Sequence, residues 1–420
     1  MIEKETAMAD IRPFRCIHPA DELWSKVAAL PYDVYHREEA RAAVAGKPLL
    51  FLNIDRPETQ FPEDYDMYAP EVYQKAHDML WGQIEDGTFV QDPAPVFYIY
   101  ELEMNGRTQT GITAVASVDD YISGVICRHE NTKPEKEMDR IRHISACEAQ
   151  TGPIFLAYRK NEDIAAITEK VKKEMPVFHF RADDGIGHRG WCIRDPEDIQ
   201  TIRNAFAGIS HVYIADGHHR AASAVKVALK KREENPGYTG QEEFNYLLAV
   251  LFPDEELMIM DYNRVIKTLN GLSEKEFLQK LQEKCVVTPE NERVCPDHKN
   301  VCGMYLNHRW YRIRFRPEYT STDPVEGLDV SILQREVLTP ILGIGDPRTD
   351  PRIDFVGGIR GPQELERRCR TDCVLAFAMY PTSIRELFSV ADAGKLMPPK
   401  STWFEPKLRS GLFIHAFVEL

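Results

Sequence analysis

The chain has 420 residues and a formal net charge of -14, from 52 Lys and Arg against 66 Asp and Glu. A protein that binds duplex nucleic acid needs a surplus of cations, so this balance favours work on small molecules and argues against nucleic acid as a partner. No run approaches the roughly 18 apolar residues of a membrane helix, and the acidic N-terminus is unlike a signal peptide. Nine irregularly spaced cysteines are typical of reduced thiols. These features predict a cytoplasmic protein of two or three domains that does not enter a membrane.

The first 124 residues are predicted to form an N-terminal α/β region. Apolar residues recur at helical spacing from Val72 to Ile84, and Asn105-Gly106 separates two apolar runs in the manner of a β-hairpin turn. The elements predicted here are strands over 11–19 and 48–58, helices beginning at Ala20 and spanning 70–86, and hairpin strands over 94–104 and 107–118.

The rest of the chain mixes strand and helix patterns without strict alternation. This order predicts an α+β fold rather than a βαβ repeat. The predicted division places an N-terminal region at 1–124, a core with a phosphate-binding turn at 125–270, a small insertion at 271–327 and a C-terminal α/β region at 328–420.

The stretch "VYIADGHHRAASAVKVALKK" places an unusual turn between an apolar strand and a helix with a small apolar face. Asp216-Gly217 is a strong turn signal, and the helix would begin at His218. Cations in a first turn oppose the helix dipole by roughly 0.3–1 kcal/mol each unless an anion lies between them. His218, His219 and Arg220 in succession therefore predict a bound phosphate or carboxylate, with Arg220 gripping it through its guanidinium.

A purely structural interpretation of the same turn is also open. Asp216 would cap the helix, one histidine would pack in the core and Arg220 would pair with a carboxylate. A metal site is not predicted, because no HExxH pattern is present and the Cys and His residues of 295–308 lack the spacing of common structural zinc sites. The five residues taken together favour the anion-binding interpretation.

A second candidate segment is "RHENTKPEKEMDRIRH" at 128–143, which follows an apolar run. Arg128, His129 and Glu130 fall where a strand should open onto a loop, a common place for functional residues. His129 or Glu130 would act as general base, and Lys136 and Arg140, four residues apart on a helix, would bind phosphate. A solvated helix with ion pairs explains the segment equally well.

Near the C-terminus, Lys400, Ser401 and Thr402 lie in a Pro/Gly-rich loop beside aromatic residues. Hydroxyls next to lysine suit an oxyanion, although an exposed hairpin tip would have the same composition. Two weaker signals, "DYNRVI" at 261–266 and "RIDFVGGIRG" at 352–361, place polar residues at predicted strand ends.

The chain resembles a bacterial and archaeal family of unknown function whose members are often labelled ParB-like. The resemblance rests on "IRPFR", "KVAALPYDV", "FLNIDRPE", "RHENT…K…DR", "QTGPIFLAYR", "ADGHHRAASA", "DYNRVI" and "PPKSTWFEPKLRSGL" and runs essentially end to end. The turn at 216–220 is similar to the phosphate-binding signature of the ParB/sulfiredoxin superfamily, in which free serine kinases have an Asp-Gly-His-His-Arg turn. The resemblance implies a mixed sheet core of that type with added α/β elements, and a nucleotide whose phosphates rest on Gly217 and the residues after it.

The leading hypothesis is a nucleotide-dependent free serine kinase that uses Mg²⁺ with ATP or ADP. Its base would be Glu130 or a carboxylate within 33–39, and substrate would be held by the positive side chains of both candidate loops. The alternatives are a phosphoserine phosphatase with the same site, a ParB-like nucleotide switch or DNA-binding protein, and a non-enzymatic ligand-binding protein. Homo-oligomerisation is left open. The candidate residues are Glu130, His129, Asp216 and His218 for catalysis, Gly217, His218, His219 and Arg220 for the nucleotide, and Arg128, Lys136, Arg140, Lys400, Ser401 and Thr402 for the substrate.

Overall fold

The computed structural model describes residues 8–418. The chain forms two compact units. The first contains the residues up to Leu257 together with those from Pro406 onward, and the second is Met258–Glu405. The four-part division expected from the sequence is finer than this and stays a prediction. None of the helices in the described part of the chain has the length and apolar character needed to cross a bilayer.

The first unit is built on a mixed sheet flanked by helices. Its strands are β1 (Ile11–Arg12), β2 (Ile17–Pro19), β3 (Phe89–Gln91), β4 (Phe97–Met104), β5 (Arg107–Ser117), β6 (Ile126–Cys127), β7 (Ala149–Gln150), β8 (Ile154–Tyr158), β9 (Phe178–Arg181), β10 (Gly187–Ile193), β11 (Val212–Asp216) and β12 (Tyr246–Pro253). Its helices are α1 (Trp24–Val27), α2 (Arg37–Val44), α3 (Leu52–Asp55), α4 (Pro70–Glu85), α5 (Val118–Ser123), α6 (Pro134–Cys147), α7 (Glu162–Val171), α8 (Pro196–Phe206) and α9 (His218–Glu234).

The main sheet has the strand order β6-β11-β8-β12-β5-β4-β10-β9, and β1 also pairs with β5. The pairs β6–β11 and β8–β12 are parallel, and the other pairs are antiparallel. The sheet contains strands from both sides of residue 124. Ile164 of α7, Phe206 of α8 and Ile214 of β11 belong to one buried apolar cluster. The α+β prediction is confirmed.

The second unit has its own sheet. Its strands are β13 (Ile259–Met260), β14 (Tyr262–Ile266), β15 (Cys285–Glu290), β16 (Val301–Leu306), β17 (Arg309–Phe315), β18 (Ile353–Gly357), β19 (Leu375–Ala378) and β20 (Trp403–Phe404). Its helices are α10 (Glu274–Lys284), α11 (Asp329–Leu333), α12 (Pro362–Thr371) and α13 (Ile384–Asp392). Six strands form an antiparallel sheet in the order β15-β17-β16-β19-β14-β18, and β13 pairs with β20. The last strand of the molecule, β21 (His415–Ala416), belongs to the first unit and pairs with β7.

Two local predictions for the first unit are confirmed and one is wrong. The helix predicted over 70–86 is α4, and Asn105-Gly106 connects β4 to β5. The strand predicted over 48–58 is instead the short helix α3 followed by a 3-10 turn at Pro57–Gln60. A short continuous apolar run does not distinguish a buried strand from a buried helix.

Candidate functional site

The predicted strand, turn and helix around residue 217 are present as β11, a glycine turn and α9. Gly217 has a φ of 94°, a left-handed conformation that a side chain disfavours. A Cβ at this position would lie 3.3 Å from Nε of Arg220. Glycine therefore lets the backbone turn sharply and lets the arginine fold back over the start of α9.

The first histidine of the turn is buried and packs against His129. The rings of His129 and His218 have centroids 4.5 Å apart in an edge-to-face arrangement. Burial lowers the pKa of His129 to about 4 and lowers the pKa of His218 well below its usual value. Both rings are therefore neutral near pH 7. His129 Nδ1 and His218 Nε2 are buried without a hydrogen-bond partner among residues 8–418.

The second histidine accepts a hydrogen bond. The backbone N–H of Lys133 donates to Nε2 of His219 at 3.0 Å, which requires an unprotonated nitrogen at that position. The prediction of three successive cations at 218–220 therefore does not hold at His218, which burial keeps neutral. Arg220 carries a permanent positive charge.

Asp216, at the end of β11, forms an ion pair with a residue far away in the sequence. Its carboxylate lies 2.9 Å from Nζ of Lys407 and accepts a hydrogen bond from the N–H of Gly217 at 2.8 Å. Burial raises the pKa of Asp216, but Lys407 and Arg220 outweigh it and hold that pKa well below its usual range. Asp216 is therefore ionised and helps to fix the turn, and it is not a proton donor near pH 7.

Beside this turn the first unit contains a narrow cleft whose volume open to water is about 20 Å³, room for about one molecule. The polar side chains along its walls are those of Tyr32, Asp55, Arg140, His143, Gln150, Thr151, Arg220 and Ser410.

Arg140 of α6 is held rigidly at the cleft. Nη2 of Arg140 lies 2.8 Å from the carboxylate of Asp139, and Nη1 donates to the backbone carbonyl of Asp55 at 3.3 Å. Its guanidinium also lies 3.9 Å from the centroid of the Tyr32 ring. Asp139 is fixed in turn by the hydroxyl of Tyr73 at 2.9 Å. These contacts preorganise a positive charge that is 6% exposed.

Asp55 supplies the carboxylate of the cleft and was not among the predicted site residues. It is the last residue of α3, is 2% exposed, and accepts a hydrogen bond from the hydroxyl of Thr151 at 2.8 Å. The adjacent carbonyl of Ile54 is hydrogen-bonded to Nε2 of His143 at 2.9 Å. The signal for Asp55 was present in "FLNIDRPE", which supported the family resemblance, but a predicted strand gave no reason to single out this residue.

Arg220 extends from α9 along another wall of the cleft. Its Nη1 donates to the carbonyl of Pro153 at 2.5 Å. A Cβ at Gly152 would lie 3.5 Å from the same nitrogen and 3.1 Å from the hydroxyl of Ser410. The chain thus approaches the guanidinium closely here because Gly152 has no side chain.

The other predicted site residues do not line this cleft. Arg128 is exposed and lies over the ring of Tyr121 at 4.9 Å, Glu130 is half-buried in the loop before α6, and Lys136 is exposed on α6. Of the predicted substrate-binding residues outside the turn, Arg140 lines the cleft. The predicted loop at 400–402 belongs to the second unit, where the hydroxyl of Ser401 donates to the carbonyl of Pro398 at 2.6 Å.

Together, the fold and the site define a two-unit α+β protein with an arginine-lined cleft beside a strand–glycine–helix turn. Residues 11–331 match the family described as "Protein of unknown function (DUF1015)". The chain belongs to this family, which confirms the resemblance to a family of unknown function. None of the curated proteins matches the chain in sequence.

Solved structures show distant similarity. A free serine kinase variant in complex with ADP is 13% identical at a TM-score of 0.35, with 72% of this chain and 92% of that chain covered. SbnI with a C-terminal truncation, from Staphylococcus aureus, is 12% identical at a TM-score of 0.38, with 72% and 87% covered. A conserved hypothetical protein from Pyrococcus furiosus is 13% identical at 0.34, with 72% and 94% covered. At these TM-scores the similarities carry no argument about the site.

Proposed function

We propose that this protein transfers a phosphoryl group from a nucleotide to the hydroxyl of a small amino acid, in the simplest case free serine. The observation that carries the proposal is the presence of two guanidinium groups and one carboxylate in a single cleft, those of Arg140, Arg220 and Asp55. Phosphoryl transfer requires mainly positioned positive charge and a group that accepts the proton of the attacking hydroxyl.

The two arginines would bind the phosphates. Arg220 sits in the first turn of α9, where unpaired backbone N–H groups and the positive end of the helix dipole add to its charge. Arg140 has a fixed orientation because Asp139 and Tyr32 hold it. Preorganised donors of this kind stabilise charge that develops on a transferring group without having to reorganise during the reaction.

Asp55 would accept the proton. The hydroxyl oxygen attacks the terminal phosphorus, the bond from phosphorus to the bridging oxygen breaks, and the shortened nucleotide leaves with that oxygen. The hydroxyl proton passes to the carboxylate of Asp55, which the hydroxyl of Thr151 orients. We assign this role to Asp55 rather than to Glu130 or a carboxylate within 33–39, because Asp55 lines the cleft.

The carboxylate of the cleft could serve as a ligand of the expected Mg²⁺. No group of three or more His, Cys, Asp or Glu side chains within residues 8–418 is arranged to hold a metal ion. Mg²⁺ commonly binds through substrate phosphates, several waters and one or two carboxylates, so the single carboxylate of Asp55 fits an ion that arrives with the nucleotide. When bound, Mg²⁺ would neutralise charge on the phosphates.

We further infer that the turn at 216–220 is of the type found in the ParB/sulfiredoxin superfamily. The Asp-Gly-His-His-Arg sequence and the left-handed Gly217 before a long helix support this assignment. Because burial keeps His218 neutral, this residue adds no charge for a phosphate at the turn, whereas Arg220 does.

The test is to incubate the protein with serine, Mg²⁺ and either ATP or ADP, and to detect phosphoserine by mass spectrometry. Asp55→Asn should lower kcat by about 10²- to 10⁴-fold, the usual contribution of a general base, and should leave nucleotide binding intact. Asp33→Asn and Glu130→Gln are matched controls, since both carboxylates lie outside the cleft, and both should retain activity.

Other outcomes are informative in specific ways. No phosphoserine with either nucleotide would contradict the proposal. Release of phosphate from phosphoserine without a nucleotide would identify a phosphatase that uses the same arginines. Activity that survives Asp55→Asn and is lost in Glu130→Gln would contradict the assignment of the base.

A further inference from the structure

The first unit contains a second cavity, which the proposed function does not use. Its volume open to water is about 70 Å³, room for about five water molecules. It lies between β5, the end of β8, α7 and the 3-10 turn Asp254–Glu256 that follows β12. The first residue of β8, Ile154, lines the cleft described above, and its last residue, Tyr158, lines this cavity. The two sites are therefore at opposite ends of one strand.

The lining of this cavity combines apolar and acidic side chains. The apolar members are Ile112, Ala165 and Pro253, and the charged members are Glu169, Glu255, Glu256 and Lys160. Three carboxylates against one ammonium make the lining negative, which favours a cation as ligand. No three His, Cys, Asp or Glu side chains within residues 8–418 are grouped to hold a metal ion, so an organic cation fits better than a metal.

Tyr158 provides a buried hydroxyl at this cavity. The residue is 3% exposed, and its ring packs edge-on against Phe206 with centroids 5.2 Å apart. Within residues 8–418 its hydroxyl has no hydrogen-bond partner, although a buried hydroxyl normally has one. Burial raises the pKa of Tyr158, and the carboxylates of Glu256 and Asp254 raise it further. The hydroxyl is therefore protonated and lies near the turn at Asp254–Glu256.

Glu256 is held in place with one oxygen left over. Its Oε2 accepts a hydrogen bond from the N–H of Thr110 at 2.5 Å, and its backbone carbonyl accepts one from Arg107. In the part of the chain that the structure describes, Oε1 of this half-buried residue has no hydrogen-bond partner. A donor between Oε1 of Glu256 and the hydroxyl of Tyr158 would satisfy both groups.

The other two carboxylates are more exposed and loosely paired. Oε1 of Glu169 lies 3.5 Å from Nζ of Lys172, and Oε2 of Glu255 lies 3.4 Å from Nζ of Lys160. Lys160 is also shared with Glu162 at 3.3 Å. Glu169 and Glu255 therefore keep charge that attracts a further cation.

We propose that this cavity binds the ammonium group of a small primary amine or of a small amino acid. The ammonium, which has three donors, would donate to the hydroxyl of Tyr158 and to Oε1 of Glu256. The short aliphatic part would pack on Ile112 and Ala165, and the carboxylate of an amino acid would pair with Lys160. The site does not depend on the proposed phosphoryl transfer, because the two sets of lining residues have no member in common.

Hydrogen exchange read by mass spectrometry tests this site on the full chain, because it locates binding along the sequence. Exchange is compared in n-propylammonium chloride, in L-alanine and in neither, with sodium chloride keeping the ionic strength equal. The ligand should slow exchange in peptides that cover 107–112, 158–172 and 253–257. A response to propylammonium alone identifies a simple amine as the ligand class, and a response to alanine identifies an amino acid.

Variants then separate binding from folding. Tyr158→Phe keeps the ring, and Glu256→Gln keeps an oxygen for the N–H of Thr110. Each should require about tenfold more ligand, since each loses one charge-assisted contact. Tyr238→Phe and Glu197→Gln, at exposed positions outside the lining, are the matched controls and should respond like the wild type.

The outcomes that contradict the proposal are also defined. If Glu256→Gln exchanges rapidly throughout 8–257 in sodium chloride, it is unfolded and Tyr158→Phe decides. No protection of the wild type by either ligand, or an undiminished response in Tyr158→Phe, would overturn the proposal. Loss of phosphoserine formation without loss of this protection would contradict the proposed function alone.

Discussion

His188 gives the first unit a titratable group whose effect on stability can be isolated. This residue of β10 is fully buried, with Nε2 accepting a hydrogen bond from Nε of Arg409 at 3.2 Å and Nδ1 bonded to the hydroxyl of Tyr100 at 2.8 Å. Arginine can only donate, so Nε2 is the unprotonated nitrogen of a neutral ring. Burial, with a smaller contribution from Arg409, lowers the pKa of His188 from 6.5 to about 3.

The sign and size of the effect follow from this difference. The unfolded chain binds a proton at His188 below about pH 6.5 and the folded chain does not until about pH 3, so the stability due to the neutral ring is lost as the pH falls through that window. Each pKa unit is worth about 1.4 kcal/mol. A fall from pH 7 to pH 4.5 takes the pH about two units below 6.5, the pKa of His188 in the unfolded chain. Protonation of the unfolded chain at His188 should therefore lower the free energy of unfolding by about 3 kcal/mol.

The assay is urea unfolding of the wild type and of His188→Gln at pH 7 and pH 4.5. Glutamine can keep a donor toward Tyr100 and an acceptor toward Arg409 but does not titrate, so its loss of stability over this interval should be smaller by about 3 kcal/mol. His179→Gln, at an exposed position of β9, is the matched control and should follow the wild type. Equal losses in wild type and His188→Gln would refute the reasoning, whatever their stabilities at pH 7.

Three further substitutions have defined outcomes. Gly217→Ala places a side chain at a φ of 94° and should lower the unfolding free energy by about 1–2 kcal/mol in urea titrations. Gly152→Ala brings a Cβ within 3.5 Å of Arg220, and steady-state kinetics should show a rise in KM that exceeds any fall in kcat. Burial raises the pKa of Asp120 to about 7 from 3.8, so the stability that its protonated form contributes is lost as the pH rises between these values. Asp120→Asn should reduce the stability difference between pH 5 and pH 8 by about 3 kcal/mol, measured by urea unfolding.

Local patterns were sufficient where one short segment determines its own structure. The Asn105-Gly106 turn predicted the β4–β5 hairpin because few residue pairs adopt positive φ at both turn positions, and both residues do so here. The helix α4 was predicted from apolar spacing, and its buried residues are on that apolar face. The strand, glycine turn and helix at 212–234 were predicted for the same reason, since turn chemistry and periodicity agreed.

The candidate site depends on long-range contacts, which local patterns do not contain. Asp216 pairs with Lys407 across 191 positions, and Arg140 meets the carbonyl of Asp55 across 85. The sequence around Lys407, "EPKLRS", does not show that this lysine has a different place from Lys400 in the preceding loop. Yet Lys407 reaches the turn, whereas Lys400 belongs to the second unit. Asp55 was missed for a further reason. Its segment was predicted as a strand but is helical, so the direction of its carboxylate could not be predicted.

The protonation of the buried histidines determines what the turn can bind. Burial keeps the ring of His129 neutral, and its Nδ1 has no hydrogen-bond partner within residues 8–418. A neutral ring brings no positive charge to a phosphate. An anion at the start of α9 should therefore be held by Arg220 and the backbone N–H groups, without a charge from the buried His129 and His218. On the proposed function, a nucleotide would bring its terminal phosphate between Arg140 and Arg220, and the hydroxyl of the second substrate would lie beside the carboxylate of Asp55.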